Sequence, residues 1–527
     1  MKDFAELLDR LAYTPPRNDK LRLMAEYFAG TPDPDRGYAL AALTDGLFFR
    51  LPLRRILTGL IVPRVDPVLF DLSRDYVGDT AETIALIWPG AGAAAAPPRL
   101  ALVVETLQSA LPMEVPELLS GWLDQLDATQ RWALLKLLTG ALRVGVSARL
   151  AKTALAEWSS VPLAEIEEVW HCVAPPYQEL FAWLSGAGPR PETGTRATFR
   201  PLMLSHQIED RELQSIEPDE FAAEWKWDGI RVQAAHQAGE RRLFSRTGDD
   251  ISGAFPDAIE AIPEGVALDG ELLVVRDGQV APFNDLQQRL NRKSVTAAML
   301  KSHPAHIRLY DILFEAGEDL RTLPFIERRA RLEAWHRNHA PRRTDISDIV
   351  DFGSIAELEA LWEGARETGI EGLMLKRRTS PYLAGRPKGH WYKWKRAPLT
   401  IDAVLMYAQR GSGKRSSYYS DYTFGAWRDG EGGAPELVPV GKSYFGFTDE
   451  ELRELDAFVR NHTVESFGPV RQVEPKLVFE VAFDSVHQSK RHKSGVAMRF
   501  PRIARIRWDK PAEEADRLDT LKALIVE

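Results

Sequence analysis

The sequence predicts a multidomain chain: an all-α N-terminal domain, a central α+β domain of antiparallel strands and a C-terminal β-barrel. Three observations lead there. The 527 residues exceed the roughly 100–200 residues that one domain usually holds, which suggests about three. Apolar spacing of three and four residues dominates up to about residue 185; short alternating segments follow, and beyond Thr400 strand-like runs are separated by Gly-rich turns. The punctuated stretch Gly186 to Thr195 reads as a linker. The expected domains are 1–195, 196–398 and 399–527.

In the first domain, Leu21–Phe28 and Ala81–Trp88 carry helical spacing, and the Gly-, Ala- and Pro-rich stretch Pro89–Pro98 breaks the second. Leu134–Leu142 reads as an amphipathic helix, Arg143-Val144-Gly145-Val146 as its break and Ser147 as the cap of the next helix. In the second domain, Arg242–Arg246, Val266–Val275, Ile307–Phe314 and Glu371–Lys376 are strands spaced too closely for helical crossovers, hence antiparallel. A helix, Ile326–His336, interrupts them. In the third, strands precede a terminal helix from Pro511 to Val526.

Composition narrows the class. With 67 Lys and Arg against 76 Asp and Glu the net charge is −9, and 44% apolar with 27% charged residues excludes disordered and collagen-like chains. No run of 18 apolar residues offers a membrane span, and the start Met-Lys-Asp-Phe-Ala-Glu lacks an apolar secretory core, so a cytoplasmic chain is expected. Cys172 is the one cysteine, which excludes intrachain disulfides and multi-cysteine metal sites. Beside His171 and Val173 it reads as buried packing.

The most informative stretch is Glu224-Trp225-Lys226-Trp227-Asp228-Gly229-Ile230-Arg231. Read as a strand, period two sets Glu224, Lys226 and Asp228 on one face and the tryptophans on the other. A lysine between two large aromatics is partly desolvated, which favours the neutral amine that a nucleophile requires. Lys-x-Asp-Gly alone is a weak pattern, equally at home ahead of a surface turn. Its companions follow in order: Ser245-Arg246-Thr247-Gly248, Leu268-Asp269-Gly270-Glu271-Leu272, Tyr310-Asp311-Ile312-Leu313-Phe314, Glu371-Gly372-Leu373-Met374-Leu375-Lys376, Trp391-Tyr392-Lys393-Trp394-Lys395, Arg499-Phe500-Pro501-Arg502 and Arg507-Trp508-Asp509-Lys510.

This ordered set, spanning residues 224–510, resembles the covalent nucleotidyltransferase superfamily, specifically the ATP-dependent DNA ligases with a helical N-terminal DNA-binding domain. The resemblance implies a central adenylation domain, a C-terminal OB-fold, and three steps. Lys226 attacks the α-phosphate of ATP to give lysyl-AMP and pyrophosphate. AMP then passes to the 5′-phosphate of a nick, and the 3′-hydroxyl displaces it. Such an enzyme serves repair, replication or recombination. Each step moves negative charge between oxygens, so positioned cations should dominate.

The resemblance also distributes roles. Glu271 and Glu371 are the expected carboxylates for Mg²⁺ or Mn²⁺, with Asp269 assisting or orienting Glu271. Lys393 and Lys395, two apart on one face with Trp391, are expected at the α-phosphate, joined by Lys376. Arg231 and Arg246 are expected at ribose and phosphate, Arg246 also at the nick's 5′-phosphate. Tyr310 and Met374 would sandwich adenine, with Phe314 competing for the stacking role, and Glu224 would accept from the exocyclic amine. Either Arg386 or Lys388 fills a further phosphate position. Gly411-Ser412-Gly413-Lys414-Arg415 only superficially resembles a P-loop, lacking the upstream glycine and the Ser or Thr.

Basic residues cluster against the acidic average. Residues 376–415 hold eleven Lys or Arg against Asp402 alone, residues 486–510 eight against Asp509 alone, and residues 128–156 hold Arg131, Lys136, Arg143, Arg149 and Lys152 with no acid. Three tracts in three regions fit a clamp lined for phosphates, a solvated basic face being the plainer reading of any one. Arg143, Gly145, Ser147 and Arg149 are the expected DNA contacts, using a helix N-terminus beside arginine without reading bases. By resemblance Arg499, Arg502, Arg507, Asp509 and Lys510 form the OB-fold motif. Alternation sets Arg505, Arg507 and Asp509 opposite Ala504, Ile506 and Trp508, and a linker at Arg396–Thr400 would let the barrel swing. The expected partner is nicked duplex DNA, bound without sequence specificity by a monomer. A guanylyltransferase or RNA ligase shares the lysine motif but not the long helical region; an NAD-dependent ligase would need a four-cysteine zinc site.

Overall fold

The computed structural model describes the chain except residues 50, 91–95, 141, 194–195, 291, 293, 365–369, 396–397, 412–418, 431–433, 445–447, 490–491 and 526–527. The P-loop-like stretch beyond Gly411, Arg396 of the linker, and Lys414, Arg415, Lys490 and Arg491 of the basic tracts therefore lie outside the described residues. Contacts divide the chain into two compact units: Met1–Leu23, Tyr38–Val146 and Ala397–Glu527 form one; Met24–Gly37 and Ser147–Arg396 form the other. The helices from Ser147 onward thus belong with the central strands.

The unit containing Ser147–Arg396 is built on two sheets. One runs His206–Gln207, Trp391–Lys395, Ile370–Arg377, Phe221–Trp227, Ile349–Val350; the other runs Glu240–Ser245, Ile230–Gln237, Val266–Arg276, Ala305–Glu315, Glu318–Asp319. The four expected strands form, and their pairings are antiparallel. Two short strands, His206–Gln207 and Thr344–Ile346, pair in parallel. The expected alternation holds: Phe221, Ala223, Trp225, Leu373, Leu375, Tyr392 and Trp394 share one core on the far face of the first sheet. A separate core of Val232, Leu268, Leu272, Ile307, Leu309 and Trp335 backs the second sheet. The interrupting helix spans Phe325–His339, and it buries Phe325, Arg328, Arg329, Leu332 and Trp335.

In the other unit, the helix expected over Leu134–Leu142 runs instead over Ala128–Thr139, started by a capping box between Asp127 and Gln130. It is not amphipathic: every side chain from Arg131 to Leu138 is buried, because the helices Lys2–Tyr13 and Thr80–Ile87 pack against it. The C-terminal part pairs Leu399–Arg410 with Tyr419–Asp429 on one edge, and with Val470–Val473 and Val478–Phe483 along the other. Its core gathers Leu405, Tyr422, Phe424, Val438, Phe479 and Ile503. A helix absent from the sequence reading, Asp449–Asn461, is capped by Thr448 and Glu451.

Two local expectations fail there. The terminal helix shortens to Leu518–Lys522, since Asp516 N–H donates to Asp402 O (2.9 Å) and its carboxylate accepts from Asp402 N–H (2.7 Å), holding that segment extended. The alternation of residues 504–509 is broken by a register shift between Glu480 and Val481, where Val481 faces Ile503 and Glu480 faces Arg505. Ile503 and Ile506 are therefore the buried pair, Ala504 is exposed and Trp508 is 49% exposed.

Candidate active site

The near face of the first sheet carries the chemistry. Cross-strand pairing lines up Glu224 with Met374 and Lys393, and Lys226 with Gly372 and Lys395, so three adjacent strands present these side chains together. Glu371 joins them through a break in the pattern: Ile370 faces Trp227 and Gly372 faces Lys226, leaving Glu371 as the extra residue of a bulge. Its carboxylate accepts from Lys226 Nζ, and Lys395 Nζ lies 3.1 Å away. Burial alone would raise the Glu371 carboxyl; Lys226 and Lys395 prevail and hold it down at about 2.

The second sheet supplies the opposing side. After Trp227 the chain leaves one sheet and enters the other at Ile230 through Asp228-Gly229. A Cβ on Gly229 would lie 2.4 Å from Leu272 O and 2.8 Å from Glu271 Cγ. The lysine strand therefore meets the Glu271 strand in a contact only glycine permits. Burial pushes the Glu271 carboxyl up to about 8, against the pull of Lys226 and Arg231, with Glu371 and Asp269 adding to the rise. Tyr310 is also a bulge residue, because Asp269 faces Asp311 while Gly270 faces Leu309. Lys376 Nζ sits 4.5 Å from its ring centroid.

A cluster of cations completes the site. The Lys393 ammonium is pushed down by burial and then by Lys395, Arg386, Lys226 and Arg246; Arg246 is lowered likewise, by burial, Arg231 and Arg386. Among the described residues Lys393, Arg246 and Arg386 have no carboxylate within ion-pair distance. Five cations with one ionised carboxylate among them make an anion site. Of the two candidates before Trp391, Arg386 acts on both Lys393 and Arg246.

Several expected residues have other partners. Trp225 and Trp227 do not flank the Lys226 amine: Trp225 packs in the far-face core, and Trp227 carries Arg308 at 4.0 Å and donates to Ser347 Oγ. The aromatic-desolvation argument is thereby replaced by an ion pair. Arg231 forks onto Asp269 (3.1 and 2.6 Å) and donates to Met203 O (2.7 Å) and Tyr382 Oη (3.1 Å), leaving a single N–H for any ligand. Asp269 accordingly holds Arg231 and Tyr382 rather than orienting Glu271. Lys376 is buried against Glu224 (2.6 Å) instead of joining the open cations. Phe314 sits under the Arg200 guanidinium (4.4 Å) in a separate core.

The basic tracts are partly neutralised. Arg131 is buried and donates to Leu123, Trp88 and Gly90 carbonyls; Lys136 is buried on Asp79 (2.5 Å) and near Glu82 (3.7 Å); Lys152 is buried over Trp170 (5.2 Å). These three are corrections to the DNA-facing tract. Arg143 and Gly145 take positive φ (51° and 68°) in an exposed turn whose Val144 and Gly145 carbonyls accept from Lys20 Nζ (2.7 and 3.0 Å). In the other unit, Ser147 caps the helix Ala148–Ser159, accepting from Leu150 N–H (3.2 Å), and Arg149 lies 3.6 Å from Glu167. Near the C-terminus Asp402 accepts from Lys510 (2.7 Å) and Arg507 (3.4 Å), Arg507 also forks onto Asp509, and Arg502 pairs with Asp484 (3.3 Å). The Arg499 guanidinium lies 5.1 Å from the Phe500 ring.

Sequence reasoning missed Arg329, which donates to Glu224, and Tyr382, which donates to Asp269. Arg328 and Arg329 occupy core positions of the helix Phe325–His339, between Phe325 and Leu332; charge on an apolar stripe was the available signal. Tyr382 carried none.

Comparisons with known proteins agree with this geometry. Residues 202–395 match the ATP dependent DNA ligase domain, and residues 415–510 the ATP dependent DNA ligase C terminal region. A protein of Koribacter versatilis named "Probable DNA ligase" is 37% identical over 434 residues, 77% of this chain and 74% of that protein. "DNA ligase 1" of Korarchaeum cryptofilum is 29% identical over 99% of this chain and 98% of its own. The solved structure "Pmar-Lig_PreS3" aligns over 96% of this chain and 99% of its own with TM-score 0.57 at 18% identity, a likeness of fold. The helical start, central strands and β-rich end, the lysine among clustered cations and these matches lead to one statement: the chain belongs to the ATP-dependent DNA ligase family.

Proposed function

We propose that this ligase seals nicks in duplex DNA, bound without sequence specificity, and that Lys226 is its nucleophile. The observation that carries the reading is the Lys226 amine on the bulged Glu371 carboxylate, with three unpaired cations around it and Glu271 opposite. In the first step Lys226 gives up a proton to solvent, and its nitrogen forms a bond to the α-phosphorus of ATP as the bond to pyrophosphate breaks. AMP then moves to the nick's 5′-phosphate, and the 3′-hydroxyl oxygen displaces it.

Arg246, Arg386, Lys393 and Lys395 stabilise the charge that develops on phosphate oxygens. Tyr310 and Met374 enclose adenine, and Glu224 accepts from its amine. Arg231, with four of its five donors spent on Asp269, Met203 and Tyr382, braces the pocket wall, and Lys376 braces Glu224. Two separated carboxylates suit a hard cation that keeps most of its waters and is completed by substrate phosphates. Glu271 and Glu371 would hold Mg²⁺ or Mn²⁺, which when bound neutralises charge on the α-phosphate.

The regions 1–195, 196–398 and 399–527 act as DNA-binding, adenylation and OB-fold domains. Arg143 and Gly145 in one compact unit, and Ser147 and Arg149 in the other, each face phosphates; Arg499, Arg502, Arg507, Asp509 and Lys510 face nucleotide or DNA. The enzyme works as a cytoplasmic monomer. The test is joining of a nicked duplex by the parent protein and by Lys226→Ala with ATP and Mg²⁺. Joining by the parent alone supports the reading; equal joining by both refutes the nucleophile.

A further inference from the structure

We propose that Arg329 is the positioning residue for nucleobase selection. The inference rests on the reading in which Glu224 accepts from the exocyclic amine of adenine. Glu224 is buried, and each carboxylate oxygen meets one cation: Lys376 Nζ donates to Oε2 (2.6 Å), and Arg329 Nη1 donates to Oε1 (3.2 Å). Arg329 is itself fixed, with Nη1 also donating to Ser347 O (2.7 Å) and Nε to Glu333 (2.6 Å).

The neighbouring Arg328 explains why this helix matters to the pocket. It forks onto Asp311 (2.8 and 2.9 Å), the residue after Tyr310. One helix, Phe325–His339, therefore holds both the acceptor for the base edge and the strand that carries the stacking ring.

The chemistry of selection follows. A carboxylate has about four acceptor positions, so two cations leave positions for an amine. Burial pushes the Glu224 carboxyl up, and the two cations pull against that rise towards the ionised form, a pure acceptor that suits a 6-amino purine. Without Arg329 the carboxyl gains a reason to hold a proton; it then becomes a donor, which suits a 6-oxo purine.

The experiment measures lysine adenylylation with ATP and with inosine triphosphate, separating kcat from KM, for Arg329→Met, Arg329→Lys, Glu224→Gln and Glu224→Gln/Arg329→Met, with a melting curve for each. The ATP-to-inosine ratio of kcat/KM should fall about ten- to a hundredfold in Arg329→Met, the scale of a hydrogen bond to a charged group. The fall should lie mainly in the KM for ATP, and Arg329→Lys should recover part of it. In the Glu224→Gln background, loss of Arg329 should leave the ratio where Glu224→Gln put it, whereas a merely structural role would add a further loss. A collapsed ratio in Glu224→Gln with a parental ratio in Arg329→Met overturns the proposal and leaves the Glu224 reading standing. A parental ratio in Glu224→Gln overturns that reading and the proposal with it. Where Arg329→Met does not fold, Arg329→Lys decides: a smaller fall supports the proposal and a parental ratio overturns it.

Discussion

Replacing Gly229 with alanine puts one methyl group where the lysine strand crosses to the Glu271 strand. The new Cβ would lie 2.4 Å from Leu272 O, about 1 Å inside ordinary contact, and 2.8 Å from Glu271 Cγ and Leu273 Cδ2. Leu272 O belongs to a central strand paired on both sides, so it cannot swing aside as a side-chain tip could. The strands must part instead. Overpacking of this kind costs about 1–3 kcal/mol, and a displacement of about 1 Å at reacting groups costs about a hundredfold in rate. Gly229→Ala should therefore melt lower and form lysyl-AMP about a hundredfold more slowly, while still binding nicked DNA. Stability and adenylylation rate both equal to the parent's would refute the argument that this glycine sets the distance between Lys226 and Glu271.

Other expectations follow from the same geometry. Glu371→Gln should weaken metal-dependent adenylylation, and a Mg²⁺ titration identical to the parent's would remove Glu371 from the metal site. Because the Glu371 carboxyl is lowered to about 2 in the fold, its contribution is present above the ordinary carboxyl range and lost as pH falls towards 2. The stability gap between parent and Glu371→Gln, about 3 kcal/mol at most, should close over that interval in acid denaturation. His171, packed on Phe244 (4.6 Å), is lowered to about 4 by burial, then by Lys152 and Arg242. The unfolded chain binds that proton first, so stability should drop between about pH 6.5 and 4 by about 3 kcal/mol more in the parent than in His171→Phe; parallel curves would contradict it. Lys136→Ala should cost about 3–5 kcal/mol, since it strands Asp79 beside a buried gap, without altering the salt dependence of DNA binding. Arg143→Ala should do the reverse, lowering the log–log salt slope by about one at unchanged stability; exchanged outcomes would return Lys136 to the DNA surface.

What the sequence disclosed was whatever depends on local period. Lys226 next to Trp225, and Lys393 and Lys395 in turn with Tyr392 and Trp394, alternate as a half-buried strand must, and the structure keeps those faces. What stayed hidden depends on partners distant in sequence. The bulge at Glu371 and the one at Tyr310 arise from how strands register against neighbours, so spacing along one strand cannot announce them. Ala504 upsets the alternation before Trp508 for the same reason. Lys136 looked like part of a basic surface because Asp79, its partner, lies 57 residues earlier. Arg231 looked free to grip a ligand because Asp269 and Tyr382 come from other strands and loops. The flanking indoles inferred for the Lys226 amine are not there, because Trp225 turns into the far-face core and Trp227 lies against Arg308 and Ser347.

The measurement closest to the centre of this account is the intact mass of the protein after incubation with ATP and Mg²⁺, before and after addition of nicked duplex. The account predicts one added adenylyl group on the parent, none on Lys226→Ala, and its disappearance once the nick is supplied. An adduct of normal yield on Lys226→Ala, or one on the parent that persists in the presence of nicked DNA, would contradict it.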